Sequence, residues 1–220
     1  MTWDRIKKPL LAIVCLAVIA GAVLWTYRTQ FAAPEFNAVL HKAVGRVMAE
    51  QTSLLLGNTG KIVIITMEPA KVPELRPQIE EFEKVLAELG RIKIKQTYTL
   101  ETENQSKYGL GSGLSGRRYV RIVNKNLDVA AIVSFVGAPR LTEEELAQLK
   151  TKPKLIAESR SAEKLKPLFD SEVLHVGVVA RFQFPTPIKG KPRTPQDWFD
   201  QRFQIVTAAN ANSLPAASSE

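Results

Sequence analysis

One cysteine and two histidines in 220 residues leave little material for thiol or metal chemistry. Cys15 lies inside an apolar run, so the rest of the chain has no thiol for a disulfide, a thiolate metal site or a cysteine nucleophile. His41 falls on a helical stripe and His175 opens an apolar strand, and neither has thiols or paired carboxylates at ligand spacing. A G-x-S-x-G nucleophile elbow is also missing. The adjacent Glu80 and Glu81 sit among Leu, Phe and Val on a helix, which reads as a solvated face rather than a general acid/base pair. No cofactor and no metal are expected, and no catalytic residues can be assigned.

Charge gives no stronger lead. The 30 Lys and Arg against 22 Asp and Glu leave a net charge of +8, but the basic residues are dispersed. Lys150, Lys152 and Lys154 alternate near acidic residues, and Lys189, Lys191 and Arg193 alternate among prolines. Neither stretch carries a nucleic-acid-binding motif, so nucleic acid is not an expected partner. A hydrophobic fraction of 45% with 24% charged residues is that of a folded domain, neither disordered nor multi-spanning.

What the chain does have is an uncharged stretch from Pro9 to Tyr27, just long enough to span a hydrocarbon core of about 30 Å. Arg5, Lys7 and Lys8 precede it, and Trp25 and Tyr27 close it. That pattern predicts residues 1–8 as a cytoplasmic N-terminus and 9–27 as a single-pass membrane anchor. A signal peptide would have the same basic start, but its apolar core would be shorter, about 7–15 residues. Either way the remainder is exported: extracytoplasmic, and periplasmic if the envelope has two membranes.

Residues 35–57 then read as an amphipathic connecting helix, with Phe36, Val39, Leu40, Val44, Val47 and Met48 at helical spacing before Gly57-Asn58-Thr59-Gly60. It can pack on the following domain, lie on the membrane or pair with a second copy. Residues 61–208 alternate apolar strands with amphipathic helices, the signature of βαβ units and an α/β fold. Strands are expected at Ile62–Met67, Arg91–Leu100, Val129–Val136, Leu155–Ala157, Leu174–Arg181 and Phe203–Thr207. Helices are expected at Pro73–Gly90, Arg117–Asn126, Glu143–Leu149, Ala162–Phe169 and Asp197–Gln201. Lys93, Lys95, Thr97 and Thr99 alternate with apolar residues in the second strand and mark it as an edge. The expected architecture is a three-layer sandwich on a mostly parallel, flavodoxin-like sheet of order 2-1-3-4-5. Residues 209–220 form a flexible tail.

The run Asp128-Val-Ala-Ala-Ile-Val-Ser-Phe-Val-Gly-Ala-Pro139, with the helix ending Leu86-Ala-Glu-Leu-Gly90, resembles one lobe of a type I periplasmic binding protein. The resemblance implies a ligand-binding lobe over about Lys61 to Thr207. That family closes two lobes on a ligand, whereas the length after the anchor suffices for one, so no family ligand residue is carried over.

Two sets of residues remain candidates. Open α/β sheets bind ligands at the carboxyl ends of their strands, which here gathers Glu68, Arg140, Glu158, Ser159 and Arg160 as a small-ligand site. Gly111, Gly113 and Gly116 spell G-x-G-x-x-G ahead of Arg117 and Arg118, a possible anion-binding loop at a helix start. The motif follows the second strand rather than the first, and Gly137 closes the next strand where a ribose-binding acid is needed, which argues against a dinucleotide. Trp198, Phe199 and Phe203 are expected to pack the last helix on the sheet. Together these features point to a non-enzymatic binding or scaffolding domain of the cell envelope, with other envelope proteins or a homodimer as partners. A small-ligand sensor or substrate-binding subunit, and an enzyme acting on an anionic substrate at the Gly-rich loop, are the alternatives.

Overall fold

The computed structural model describes residues 4–27, 36–101, 114–159, 162, 165–181 and 192–214, with side chains from residue 13 onward. Most of the proline-rich loop and the end of the tail lie outside these residues. The chain divides into two units, Met1–Phe36 and Asn37–Glu220.

In the first unit, α1 (Asp4–Thr26) is a single helix whose residues from Ile13 to Tyr27 are all exposed. Among the described residues no helix is long and apolar enough to cross a membrane.

The second unit opens with α2 (Ala38–Leu56). Asn37 caps it by accepting the Leu40 N–H at 3.1 Å, and Gly57 ends it in the left-handed region at φ 63°. Val44, Val47, Met48, Ala43 and Ala49 are buried, so the stripe packs into the domain. The closest approach is to α3 (Leu75–Leu89), at Gly45, where a β-carbon would overlap the carbonyl oxygen of Gln78. A stripe of this kind in water gains most by facing a core, which is the first of the three fates open to it.

The strands in chain order are β1 (Thr59–Met67), β2 (Arg91–Leu100), β3 (Leu114–Ser115), β4 (Ala131–Ser134), β5 (Pro139–Arg140), β6 (Lys154–Ser159), β7 (Leu174–Ala180) and β8 (Phe203–Val206). Six of them form one sheet in the order β2-β1-β4-β6-β7-β8, parallel except for β8, which runs antiparallel to β7. Counting only these six, the first five follow the order 2-1-3-4-5. The remaining helices are α4 (Gly116–Lys125), α5 (Glu143–Ala147), α6 (Lys166–Asp170) and α7 (Pro195–Arg202).

Period-2 alternation sorts the central strands onto two cores. Ile62, Ile64, Ala131, Val133, Ile156 and Val178 face a cluster with Met48 of α2, Phe82 of α3 and Phe199 of α7. Val63, Ile65, Ile132, Leu155, Ala157 and Val179 face a second cluster with Tyr119 and Val123 of α4 and Leu168 of α6. The result is three layers. Phe199 also stacks on Phe203 at 5.8 Å, which fastens α7 to the edge strand β8.

Among the boundaries that differ from those read in sequence, two have a clear local reason. β1 starts at Thr59, because Gly60 at φ 132° lets the chain pair with Arg91 and Ile92 before the apolar run begins. β4 is shorter than its apolar run, because Ser134 Oγ donates to the Gly137 carbonyl at 2.6 Å and turns the chain out of the sheet. That bond satisfies the hydroxyl of a fully buried serine.

Edge strand β2 is tied down by two polar contacts. Buried Asn126 donates through Nδ2 to Tyr98 Oη at 3.0 Å and to the Ile122 carbonyl at 2.9 Å. Asp128 pairs with Lys61 at 2.9 Å and also with Lys95, which sits at the register shift between β1 and β2.

Candidate functional site

The parallel register brings the ends of β1, β4 and β6 to one rim: Ile65 lies opposite Ser134, and Ser134 opposite Ala157. Glu68 follows β1 there, exposed and paired with Lys71 at 3.4 Å. Glu158 and Ser159 are the last residues of β6, half-buried and buried respectively. Arg140 ends β5 and is exposed. Arg160 lies outside the described residues, as do Gly111 and Gly113.

The two candidate sets, 24 residues apart between Gly116 and Arg140, meet through a second, two-stranded sheet. β3 pairs in parallel with β5, Leu114 with Pro139 and Ser115 with Arg140, so α4 begins beside Arg140. Gly116 is forced there by close approach. A β-carbon on it would overlap both the Arg140 carbonyl oxygen and the carboxylate of Glu145.

Glu145 itself is fixed by a capping box at the start of α5. Its Oε2 accepts the Thr142 N–H at 3.1 Å, while its own N–H donates to Thr142 Oγ1 at 3.2 Å. A carboxylate of the chain therefore packs against the first residue of α4. Arg117 and Arg118 are exposed in the first turn of α4. Of the anion-binding loop expected at this helix start, Gly116, Arg117 and Arg118 are the described part.

A concavity of about 850 Å³ lies at the opposite, amino-terminal end of β6 and β7. The end of α2 (Gln51, Leu54, Leu55), the start of β7 (Leu174, His175) and Thr207 after β8 line part of it. None of the candidate residues lines it. His175 Nδ1 donates to the Val173 carbonyl at 3.3 Å, and burial is the main reason that its imidazole is pushed below the ordinary histidine range. Glu172, also lining the concavity, holds φ 57°, a conformation that glycine adopts with less strain. Sequence reading missed this concavity because its walls come from four separated segments. Because open α/β sheets recognise ligands at the carboxyl ends of their strands, the rim is kept as the candidate site.

His41 lies on α2 and its Nδ1 is 2.9 Å from Gln78 Nε2, at the α2–α3 crossing. Among the described residues no group of three or more His, Cys, Asp or Glu is placed to hold a metal ion.

No family model and no curated protein matches the chain. Solved structures do match in three dimensions. The arabinose-binding protein AraP of Geobacillus stearothermophilus aligns with a TM-score of 0.54 at 17% identity, over 80% of this chain and 63% of its own. A solute-binding protein of an ABC transporter from Burkholderia graminis, in complex with D-arabinose, aligns with a TM-score of 0.54 at 20% identity, over 79% and 61%. The fold is that of one periplasmic-binding lobe. A variant XylFII–LytSN complex also aligns, with a TM-score of 0.50 at 11% identity, over 78% and 61%. This chain thus spans less than two thirds of the length of these binding proteins, as one lobe should. The lobe fold accounts for the mostly parallel sheet.

Proposed function

We propose that the chain is a non-enzymatic binding lobe, tethered by its N-terminal segment and displayed on the extracytoplasmic side of a membrane. Its recognition surface is the carboxyl rim of the sheet. The tether reading rests on the uncharged run Pro9–Tyr27 behind Arg5, Lys7 and Lys8, and on the exposure of every residue from Ile13 to Tyr27. An uncharged, exposed run behind basic residues is better solvated at a lipid surface than in water.

The observation that carries the recognition reading is the pairing of Ser115 with Arg140, which brings the start of α4 to Arg140, while Glu68 follows β1 and Glu158 and Ser159 end β6. Such a rim offers charged and hydroxyl groups to a polar partner. Of the proteins that share this fold, one is held in complex with D-arabinose and another is a XylFII–LytSN complex. The test is native mass spectrometry of the full chain in detergent, for the wild type and for Arg140→Ala with Glu158→Ala. A ligand or protein retained by the wild type and lost from the variant is expected. Retention by both forms, or by neither, overturns the rim as the recognition surface.

The second reading is a small-ligand subunit for a polyhydroxylated compound, favoured by the arabinose-binding structures of the same fold. Calorimetric titration with pentoses and hexoses separates it from the protein-partner reading.

A further inference from the structure

Helix α4 carries a charge pattern that neither the rim nor the core explains. Arg117, Arg118, Arg121 and Lys125 are all exposed, and Tyr119, Val120, Ile122 and Val123 are buried. At 3.6 residues per turn the four cations fall within an arc of about 100°, and they extend along about 12 Å of helix. The helix contains no acidic residue. None of the four cations forms an ion pair among the described residues, although exposed Glu143 and Glu144 sit on neighbouring α5. Arg117 to Arg121 and Arg121 to Lys125 are like charges at i,i+4, an arrangement that weakens a helix on its own. Leu127, just beyond the last of them, is 52% exposed.

This is a continuous stripe of positive charge without the concavity that a small anion needs, and exposed Leu127 follows it in the chain. We infer that this face of α4 docks on an anionic lipid surface.

Chain geometry favours lipid over other polyanions. Ten residues, 28–37, separate Tyr27 from the start of α2 at Ala38. Fully extended, they reach about 36 Å at most. α2 turns back into β1 through Gly57 and Asn58, so its beginning lies toward the carboxyl end of the sheet. His41 and Gly45, in its first half, accordingly meet Gln78 near the start of α3, which follows the carboxyl end of β1. α4 starts at that same end on the opposite face of the sheet, beside β5, and runs away from it. A tether in a bilayer keeps the whole second unit, and the stripe with it, at high effective concentration near headgroups whatever its orientation. The inference rests on the tether reading in this respect. Each cation brought close to an anionic surface is worth about a fivefold change in partitioning.

The test uses the full chain carrying Cys15→Ser and Leu127→Cys, spin-labelled at the introduced thiol. It is reconstituted with vesicles of phosphatidylcholine, or of three parts phosphatidylcholine to one part phosphatidylglycerol. Collision of the label with a nickel-chelating headgroup is measured, together with flotation. Expected are contact in the anionic vesicles only, its loss at high salt, and a fall of at least about 25-fold in contact when Arg121→Glu and Lys125→Glu are added. Equal label accessibility in both compositions, or contact unaffected by the charge reversals, overturns the inference. So does contact with added single-stranded DNA in preference to the anionic vesicles. Failure of the tether reads differently: the chain then does not float with neutral vesicles at all. Salt-reversible flotation with anionic vesicles alone would uphold the stripe without the tether.

Discussion

The carboxylate of Glu145 occupies the space that a β-carbon on Gly116 would need. This contact couples α5 to the start of α4. Gly116→Ala must displace either that carboxylate or the Arg140 carbonyl, and the cost expected for such overpacking is about 1–3 kcal/mol. Thermal melts check it. Glu145→Gln, which keeps the shape and removes the charge, should cost no more than about 1 kcal/mol. A Gly116→Ala melt equal to wild type would show that the approach is looser than described.

Gly45 makes the equivalent contact between α2 and α3. Gly45→Ala should separate the two helices, lowering stability by about 1–3 kcal/mol, whereas Gly21→Ala in α1, with no atom near its would-be β-carbon, should leave the melting temperature of the second unit unchanged.

Asp128 is held below the usual carboxylate range by its hydrogen bonds, first with Lys95 and then with Lys61. A depressed folded value means that the contribution is complete above the unfolded value of about 3.9 and is lost as pH falls through the folded value. Asp128→Asn should therefore be less stable than wild type at neutral pH, and the gap should close in strong acid. Denaturant melts across the acid range measure this.

His175 gives the opposite chemistry but the same direction on the pH axis. Burial depresses its folded pKa, so the folded state prefers the neutral ring. Stability should be level above the unfolded value of about 6.5 and should decline as pH falls from there toward the folded value. His175→Gln should flatten that segment of the profile. A wild-type profile that is already flat between neutral and mildly acidic pH would contradict the burial of the ring.

Much of the fold was legible because long periodic segments announce themselves. The stripe of α3, the apolar run of β1 and the alternation of β2 each extend over enough residues for a period to be read. β3 and β5 were not legible, since two residues have no period, and it is their pairing that joins the two candidate sets. Glu145 at Gly116 was hidden for another reason: 29 positions separate them in the chain. The G-x-G-x-x-G spelling drew attention to an anion from outside and gave no sign of the carboxylate that packs on its last glycine. The basic stripe of α4 was half visible as Arg117 and Arg118, but Arg121 and Lys125 join it only once the buried face is known.

Because α2 is the first element of the second unit, any pull transmitted through the N-terminal segment arrives at Asn37 before it reaches any strand. Mechanical force would peel α2 from α3 and α7 turn by turn, breaking side-chain contacts in sequence rather than shearing the sheet as a whole. Such peeling would uncover the face of Ile62, Ile64 and Val133 while the opposite core stayed closed. The chain thus has a built-in order of mechanical failure, with α2 as the element that yields first and the sheet as the part that endures.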